Sequence, residues 1–315
     1  MFIFAENMNY AELPNENVGR PSFFLAMEEY VAEHCHGDCF FTWQTEPSVV
    51  FGRNQVADSE VNIAYCEEQG IGLCRRKSGG GCIFSDGGNV MISLVTSSDE
   101  GVCLTFNRYI NRLTLALRRL GIDARATGRN DILVEGRKVS GGAFYRRGNR
   151  SIVHSTLLYD TDMERMLRSI TPSAAKLASK GVESVRQRIG LLKDYYGGTV
   201  GELRQALRRD ICDGTISLDA ADVQGIAEME RPYLDREWTF GRNPRWTERV
   251  ELSIDGVGQV ELLLGLRGDY IIKEVEVRGD FLDDASSLGA TLVGHRLDEA
   301  GALTERYFKR DNTIT

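Results

Sequence analysis

The chain of 315 residues has no apolar run approaching the ~18–20 residues that a membrane-crossing helix needs, which excludes a helical span. Low-complexity tracts and internal repeats are also missing, so neither a disordered chain nor a solenoid is indicated. There is no excess of positive charge. With 38 Lys and Arg against 46 Asp and Glu the net charge is −8, a poor basis for general nucleic-acid binding. The opening MFIFAENMNYAE lacks the basic region and small-residue cleavage site of a secretory signal. A disulfide framework is missing too. Seven cysteines, an odd number scattered mostly through apolar stretches, point to reduced thiols in a cytoplasm. His34, Cys35, His36, Asp38 and Cys39 crowd together as half a zinc site, but no second pair follows at zinc-finger spacing. The polar end of a helix is the better reading of that cluster.

What is present is the balance of a globular protein: 42% hydrophobic and 27% charged residues. At roughly 100–200 residues per domain the length suggests two domains. A helix is expected from Ser22, as its cap, to about His34, with apolar residues at 3–4 spacing. Short strands follow at Phe40–Gln44, Ser48–Arg53, Ile71–Arg76, Cys82–Ser85 and Val90–Thr96. Phe106, Ile110, Leu113, Leu117 and Leu120 mark a helix that Gly121 ends. Strands resume at Ile132–Glu135, Lys138–Tyr145 and Ile152–Tyr159, the first two joined by a tight turn at Glu135-Gly136. Helices are expected over 162–170, from Val182 to Leu192 and from Val200 to Ile211. FGRNPRWT (240–247) reads as a connector to three strands (250–254, 259–266, 270–277) and two short helices (281–293, 296–308). The fold expected is α/β (α+β): a large sheet domain flanked by helices over 1–241, and a small α+β unit over 242–315.

Charge is uneven. From Arg118 to Arg150 nine Arg and Lys face three acids, while from Asp210 to Glu237 eight acids face two Arg. A basic middle in an acidic chain suits an anionic ligand or an acidic partner, or is simply a solvated face.

Four stretches carry chemistry. Arg75-Arg76-Lys77-Ser78-Gly79-Gly80-Gly81 combines cations with glycines that let backbone N–H groups approach an anion. It is neither a Walker A loop nor a dinucleotide fingerprint, and a hairpin turn with a basic flank explains it equally well. Gly128-Arg129-Asn130-Asp131 precedes Gly136-Arg137-Lys138-Val139-Ser140-Gly141-Gly142-Ala143. Lys138 there is a directed cation or, read alone, a strand-end lysine in solvent. His154 alternates with apolar residues on a strand, usually a structural position. Lys180-Gly181 precedes a helix and offers an anion site, or a routine loop.

In order and spacing, RRKSGGGCIF with Asp86-Gly87-Gly88-Asn89, then GRNDILVEGRKVSGGAF, HSTLL and KLASKGVESVRQRI, resemble the lipoate–protein ligase A family. The match runs from about Ser22 through Arg242, and EWTFGRNPRW resembles the family's entry to a C-terminal accessory domain. The resemblance implies a cytoplasmic, monomeric, adenylate-forming ligase. ATP and lipoate would give lipoyl-AMP, and the acyl group would pass to one lysine of an apo lipoyl domain of an E2 subunit or the glycine-cleavage H protein.

By motif position, the resemblance implies that Lys138 is catalytic, shared between lipoyl carbonyl and α-phosphate. Arg76, Ser78, Gly81, Cys82, Ile83, Phe84, Asn89, Asp131, Lys180 and Gly181 would contact the adenylate. Arg76, Lys138, Gly142 and His154 would contact lipoate, and Asp131 would serve adenine or Mg2+. Two departures bear on pocket shape: Ser85 precedes Asp86 where the family has His, and Ser155 replaces the Gly of His-Gly-Thr. The rivals are an octanoyl or lipoyl transferase and a non-catalytic lipoate or nucleotide-binding module. The transferase needs a cysteine nucleophile, and none stands between Cys103 and Cys212. The module would not need Lys138. No GRGRxG loop of a biotin ligase is present.

Overall fold

The structure is a computed structural model describing residues 7–15, 18–55, 57–97, 102–127, 130–170, 188–241, 248–255, 257–267, 270–279, 285 and 287–311. Strands β1 (Met8–Glu12) and β2 (Asp38–Trp43) flank helix α1 (Pro21–His34). Then come β3 (Ser48–Phe51), helices α2 (Ala57–Glu60) and α3 (Ile63–Glu68), β4 (Gly72–Arg75), β5 (Ile83–Ser85) and β6 (Asn89–Ser97). Helix α4 (Val102–Arg119) leads to β7 (Ala124–Ala126), β8 (Asp131–Val134), β9 (Arg137–Arg147) and β10 (Arg150–Leu158). Helix α5 (Met163–Ser169), a helix at Val200–Ile211, β11 (Gly214–Ser217) and a helix at Ala220–Leu234 follow.

Eight strands form one mixed sheet in the order β11-β1-β2-β6-β10-β9-β8-β7. β1 runs parallel to both its neighbours; the other pairs are antiparallel. β6 is buried along nearly its whole length because α1 and β10 contact it within a sheet covered on both faces. A smaller sheet, β4-β3-β5, carries the Gly-rich stretch between β4 and β5. Toward the C-terminus, β12 (Glu248–Ile254), β13 (Gly258–Leu266) and β14 (Ile272–Gly279) form a separate antiparallel sheet. It has its own core of Leu262, Leu264, Leu288, Leu292 and Phe308.

Several expectations change. Ser22 does not cap α1. Arg20 holds that position with Pro21 behind it, and Ser22 Oγ donates to the buried carboxylate of Glu230 at 2.6 Å. The helix expected from Val182 to Leu192 falls largely outside the described residues. Of its described end, Arg188 is helical, Ile189 bridges to Lys138 of β9, and Leu192–Asp194 is one 3-10 turn, so the helix stops before Leu192. Seven described elements had no counterpart in the sequence reading: β1, α2, α3, β7, β11 and the helices Ala220–Leu234 and Arg236–Phe240. β1 and β11 are short and pair side by side at one sheet edge, where alternation is weak. The connector over 242–247 lies outside the described residues. Among the described residues the first C-terminal helix is Leu288–Leu292, and the second is a 3-10 turn at Leu297–Glu299 followed by a helix at Ala300–Asp311.

Candidate active site

Side chains alternate along a strand, so paired residues of β2, β6, β10 and β9 place Trp43, Met91, Thr156 and Gly141 on one face. Ser93, His154 and Ala143 line up one pair further along the same face. The small sheet lies over it. Between them is a cavity of about 120 Å3. Its apolar wall is Leu25, Trp43, Val50, Ile83 and Met91; its polar wall is Arg76, Gly80, Gly81, Asn130, Lys138 and His154.

The three cations of the Gly-rich stretch are committed to the protein itself. Arg75 is fully buried and donates to the carbonyls of Thr239, Gly52, Arg53 and Gln55. Lys77 pairs with Glu29 at 2.6 Å. Arg76 lines the cavity, yet it donates to Ser78 Oγ and to the carbonyls of Val50, Gly79 and Gly81. Burial brings its pKa down to about 10, which leaves it a cation at neutral pH. Arg76 therefore acts mainly as a clamp on the loop. Because a trans peptide points its C=O and N–H to opposite sides, the N–H groups of Gly80 and Cys82 turn away from Arg76. Those amides, beside the charge of Arg76 itself, are what this wall can offer an anion.

Lys138 is the contrasting cation. Its side chain is 41% exposed, and Nζ lies 2.8 Å from Asp131 Oδ1. Gly141 makes room for it: a Cβ there would stand 2.8 Å from both Cε and Nζ. Asn130 holds the neighbouring strand by accepting from Gly142 N–H and donating to Gly142 O. Gly190 N–H donates to Lys138 O, so the chain returns to this lysine after the 171–187 segment.

His154 is buried in β10, with Nε2 2.7 Å from Ser78 Oγ and Nδ1 3.0 Å from both oxygens of Glu28. Ser155, its neighbour, points to the opposite face and shares a 2.6 Å hydrogen bond with Tyr109 of α4. Ser155 is among the residues that border the cavity, but its hydroxyl is turned to α4. Burial pushes the Cys82 thiol up to about 12, so it is a poor nucleophile.

Of the expected site residues, Arg76, Gly81, Cys82, Ile83, Lys138, Gly142 and His154 line the cavity, with Asp131 beside Lys138. Ser78, Phe84 and Asn89 stand behind the wall. Ser78 is enclosed by Arg76 and His154, and Phe84 belongs to the core beneath the small sheet. Asn89 donates to Phe84 O and Thr161 Oγ1, bracing a turn. Lys180 and Gly181 lie outside the described residues. Leu25, Trp43, Met91, Asn130 and Glu28 were missed. Two adjacent acids in an otherwise apolar helix, Glu28-Glu29, were the available signal for the last. Among the described residues no group of three or more His, Cys, Asp or Glu is placed to hold a metal. His34 instead stacks on Tyr30, ring centroids 4.1 Å apart.

The lipoyl protein ligase A/B catalytic domain model matches residues 20–211. Lipoate-protein ligase LplJ of Bacillus subtilis is 30% identical over 302 residues, covering 91% of each chain. In three dimensions, an archaeal bi-partite lipoate protein ligase, solved in a study of it and its E2 lipoyl domain from Thermoplasma acidophilum, aligns with TM-score 0.68. It is 26% identical and covers 76% of this chain and all of that one. A T. acidophilum structure with bound lipoic acid aligns with TM-score 0.64 at 25% identity, covering 74% of this chain and 99% of that one. On that match over residues 20–211 and that identity over nearly the whole chain, the protein belongs to the lipoyl protein ligase A/B family and is an enzyme of the lipoate–protein ligase class.

Proposed function

We propose that the enzyme activates lipoate with ATP, releasing pyrophosphate, and then transfers the lipoyl group from lipoyl-AMP to a lysine of an apo lipoyl domain. The observation that carries this reading is Lys138, a half-exposed cation beside Gly141 where the apolar cavity meets the loop amides. Attack of a carboxylate on the α-phosphate brings two anions together, and a fixed cation between them lowers the barrier. The apolar wall suits a dithiolane and its alkyl chain; Gly80 and Cys82 N–H suit phosphate oxygens. Transfer is attack by an external amine on a mixed anhydride, which needs positioning and no enzyme nucleophile.

Mg2+ would arrive with the nucleotide. Asp131 is a single carboxylate at the site, which suits an ion carried mostly by phosphates and water rather than a resident metal. Its chemistry would be to neutralise the pyrophosphate leaving group. Acceptors would be lipoyl domains of E2 subunits or the H protein, met in the cytoplasm by a monomer of two units divided near 241/242. Among the described residues no helix is long and apolar enough to cross a membrane.

The test is lipoate-dependent exchange of pyrophosphate into ATP, followed by intact mass of an apo lipoyl domain incubated with enzyme, ATP, Mg2+ and lipoate. Gain of one lipoyl mass is expected. Transfer from octanoyl carrier protein without ATP would replace the ligase reading with a transferase. Lipoate binding without exchange would reduce the protein to a binding module.

A further inference from the structure

Six groups form one hydrogen-bonded line from the apolar wall of the cavity to the Gly-rich loop, and both its ends are donors only. At one end Trp43 Nε1–H can only donate, and does so to Ser93 Oγ at 2.9 Å. Ser93 must then spend its own proton elsewhere, on Glu28 Oε1 at 2.5 Å. At the other end Arg76 Nε–H can only donate, and does so to Ser78 Oγ at 3.0 Å. Ser78 Oγ lies 2.7 Å from His154 Nε2 and keeps both its proton and a second lone pair for that contact. The polarity is set from the other side of the ring: the Glu28 carboxylate only accepts, so Nδ1 carries the proton that faces it, and a neutral ring leaves Nε2 bare to accept from Ser78. The two runs of donors converge on one carboxylate, which is fully buried on α1. Glu28 accepts from both directions and is the sole group in the line that donates nothing.

Ser78, His154 and Glu28 stand in the order of a hydrolytic triad, but Ser78 is no nucleophile. It is fully buried, and its oxygen accepts from Arg76. The line leads instead to the loop, since Arg76 also holds the carbonyls of Gly79 and Gly81. We propose that Glu28 is a positioning residue for nucleotide activation: by accepting from Ser93 and His154 it imposes the Nδ1–H tautomer on His154, which orients Ser78 and Arg76 and turns the Gly80 and Cys82 amides toward the phosphates. The proposal rests on the ligase reading for its ligand, though not for its hydrogen-bond polarity. An amide in place of the carboxylate sets an NH2 against one incoming donor. If His154 answers by moving its proton to Nε2, the Ser78–His154 bond reverses and the Ser78 proton loses its acceptor.

The test uses the full chain labelled with 15N. The four histidines are few enough to resolve, and the His154 signals are assigned by their loss in His154→Asn. The wild type is expected to show a neutral ring protonated at Nδ1. Glu28→Gln is expected to shift His154 toward the other tautomer or a mixture and to move the Gly80 and Cys82 amide signals. In pyrophosphate exchange it should raise the KM for ATP about 10- to 100-fold, the value of a lost hydrogen bond to a charged group. Ser78→Ala cuts the line without touching α1 and should move the same amides and the same KM. A wild-type ring protonated at Nε2 overturns the proposal. So does Glu28→Gln with the tautomer and both loop amides unchanged, or with both moved but ATP KM unaltered. If the wild type shows no exchange at all, the ligase reading fails, while the spectra still decide the polarity of the line.

Discussion

Two stretches of the chain look nearly alike on paper. Arg76-Lys77-Ser78-Gly79-Gly80 and Arg137-Lys138-Val139-Ser140-Gly141-Gly142 each set cations before a serine and two glycines. In the first, a turn between two strands of the small sheet, the cations face inward and hold backbone carbonyls and Glu29. In the second, on β9 of the large sheet, Lys138 faces the cavity and keeps one carboxylate partner. The glycines differ to match. Gly80 bends the turn with φ +91°, whereas Gly141 leaves the volume that Lys138 occupies. Charge beside glycine therefore means scaffold in one place and chemistry in the other, and what decides is which side of the peptide or strand the cation leaves from.

Lys138→Ala tests the comparison most severely. It should lower lipoate-dependent exchange by about 10²–10³-fold or more, as removal of a preorganised transition-state contact does. Its melting temperature should barely change, because a half-exposed ion pair contributes about 1 kcal/mol or less. Arg75→Ala is expected to do the reverse. Stripping the carbonyls of Gly52, Gln55 and Thr239 of a buried donor should cost about 3 kcal/mol or more in urea unfolding. If Arg75→Ala proved as stable as the wild type, the scaffold half of the contrast would fall. A Cβ at Gly52 would collide with Gly80 O, a backbone atom, whereas one at Gly141 meets only the flexible end of Lys138. Gly52→Ala should therefore destabilise the fold, while Gly141→Ala should keep it and lose about tenfold in exchange. The smallest effect is expected from Ser155→Gly. Leaving Tyr109 O–H without its partner should cost about 1 kcal/mol in thermal unfolding, with the preference between lipoate and octanoate unchanged.

The basic stretch over 118–150 makes the same point at larger scale. Arg119 pairs with Asp210 of the acidic stretch, Arg147 with Glu29 and Glu33, and Arg125 with Asp123. Arg118 and Arg150 donate to the carbonyls of Ala124 and Gly37. Arg119 and Arg147 are thus answered by acids outside the stretch, Arg118 and Arg150 hold backbone, and Lys138 is aimed at the cavity.

Much of the scaffold was legible. The 3–4 spacing through Phe106 and Leu120 announced α4, and alternation announced β6, β9 and β10, because burial of one stripe or face leaves that period in the sequence. β1 and β11 were not legible, since strands of five and four residues carry too few alternations to register. In the site, Lys138, Gly142 and His154 were recognisable within their motifs. Leu25, Trp43 and Glu28 were not, because each sits in an apolar run where it reads as core.

The sequence by itself determined the order of motifs, the helix and strand periods, the lack of a cysteine after Cys103 near the site, and hence the family and the class of chemistry. Only the tertiary structure decided which cations are spent on the scaffold and which one meets the ligand. It also decided that Glu28, 126 residues from His154, fixes that ring's proton. The physical reason is that periodicity encodes which side of an element is buried, while hydrogen-bond partners depend on donors and acceptors brought together by pairing of distant strands. A donor-only group at each end of such a line has a meaning that exists only once the line has formed.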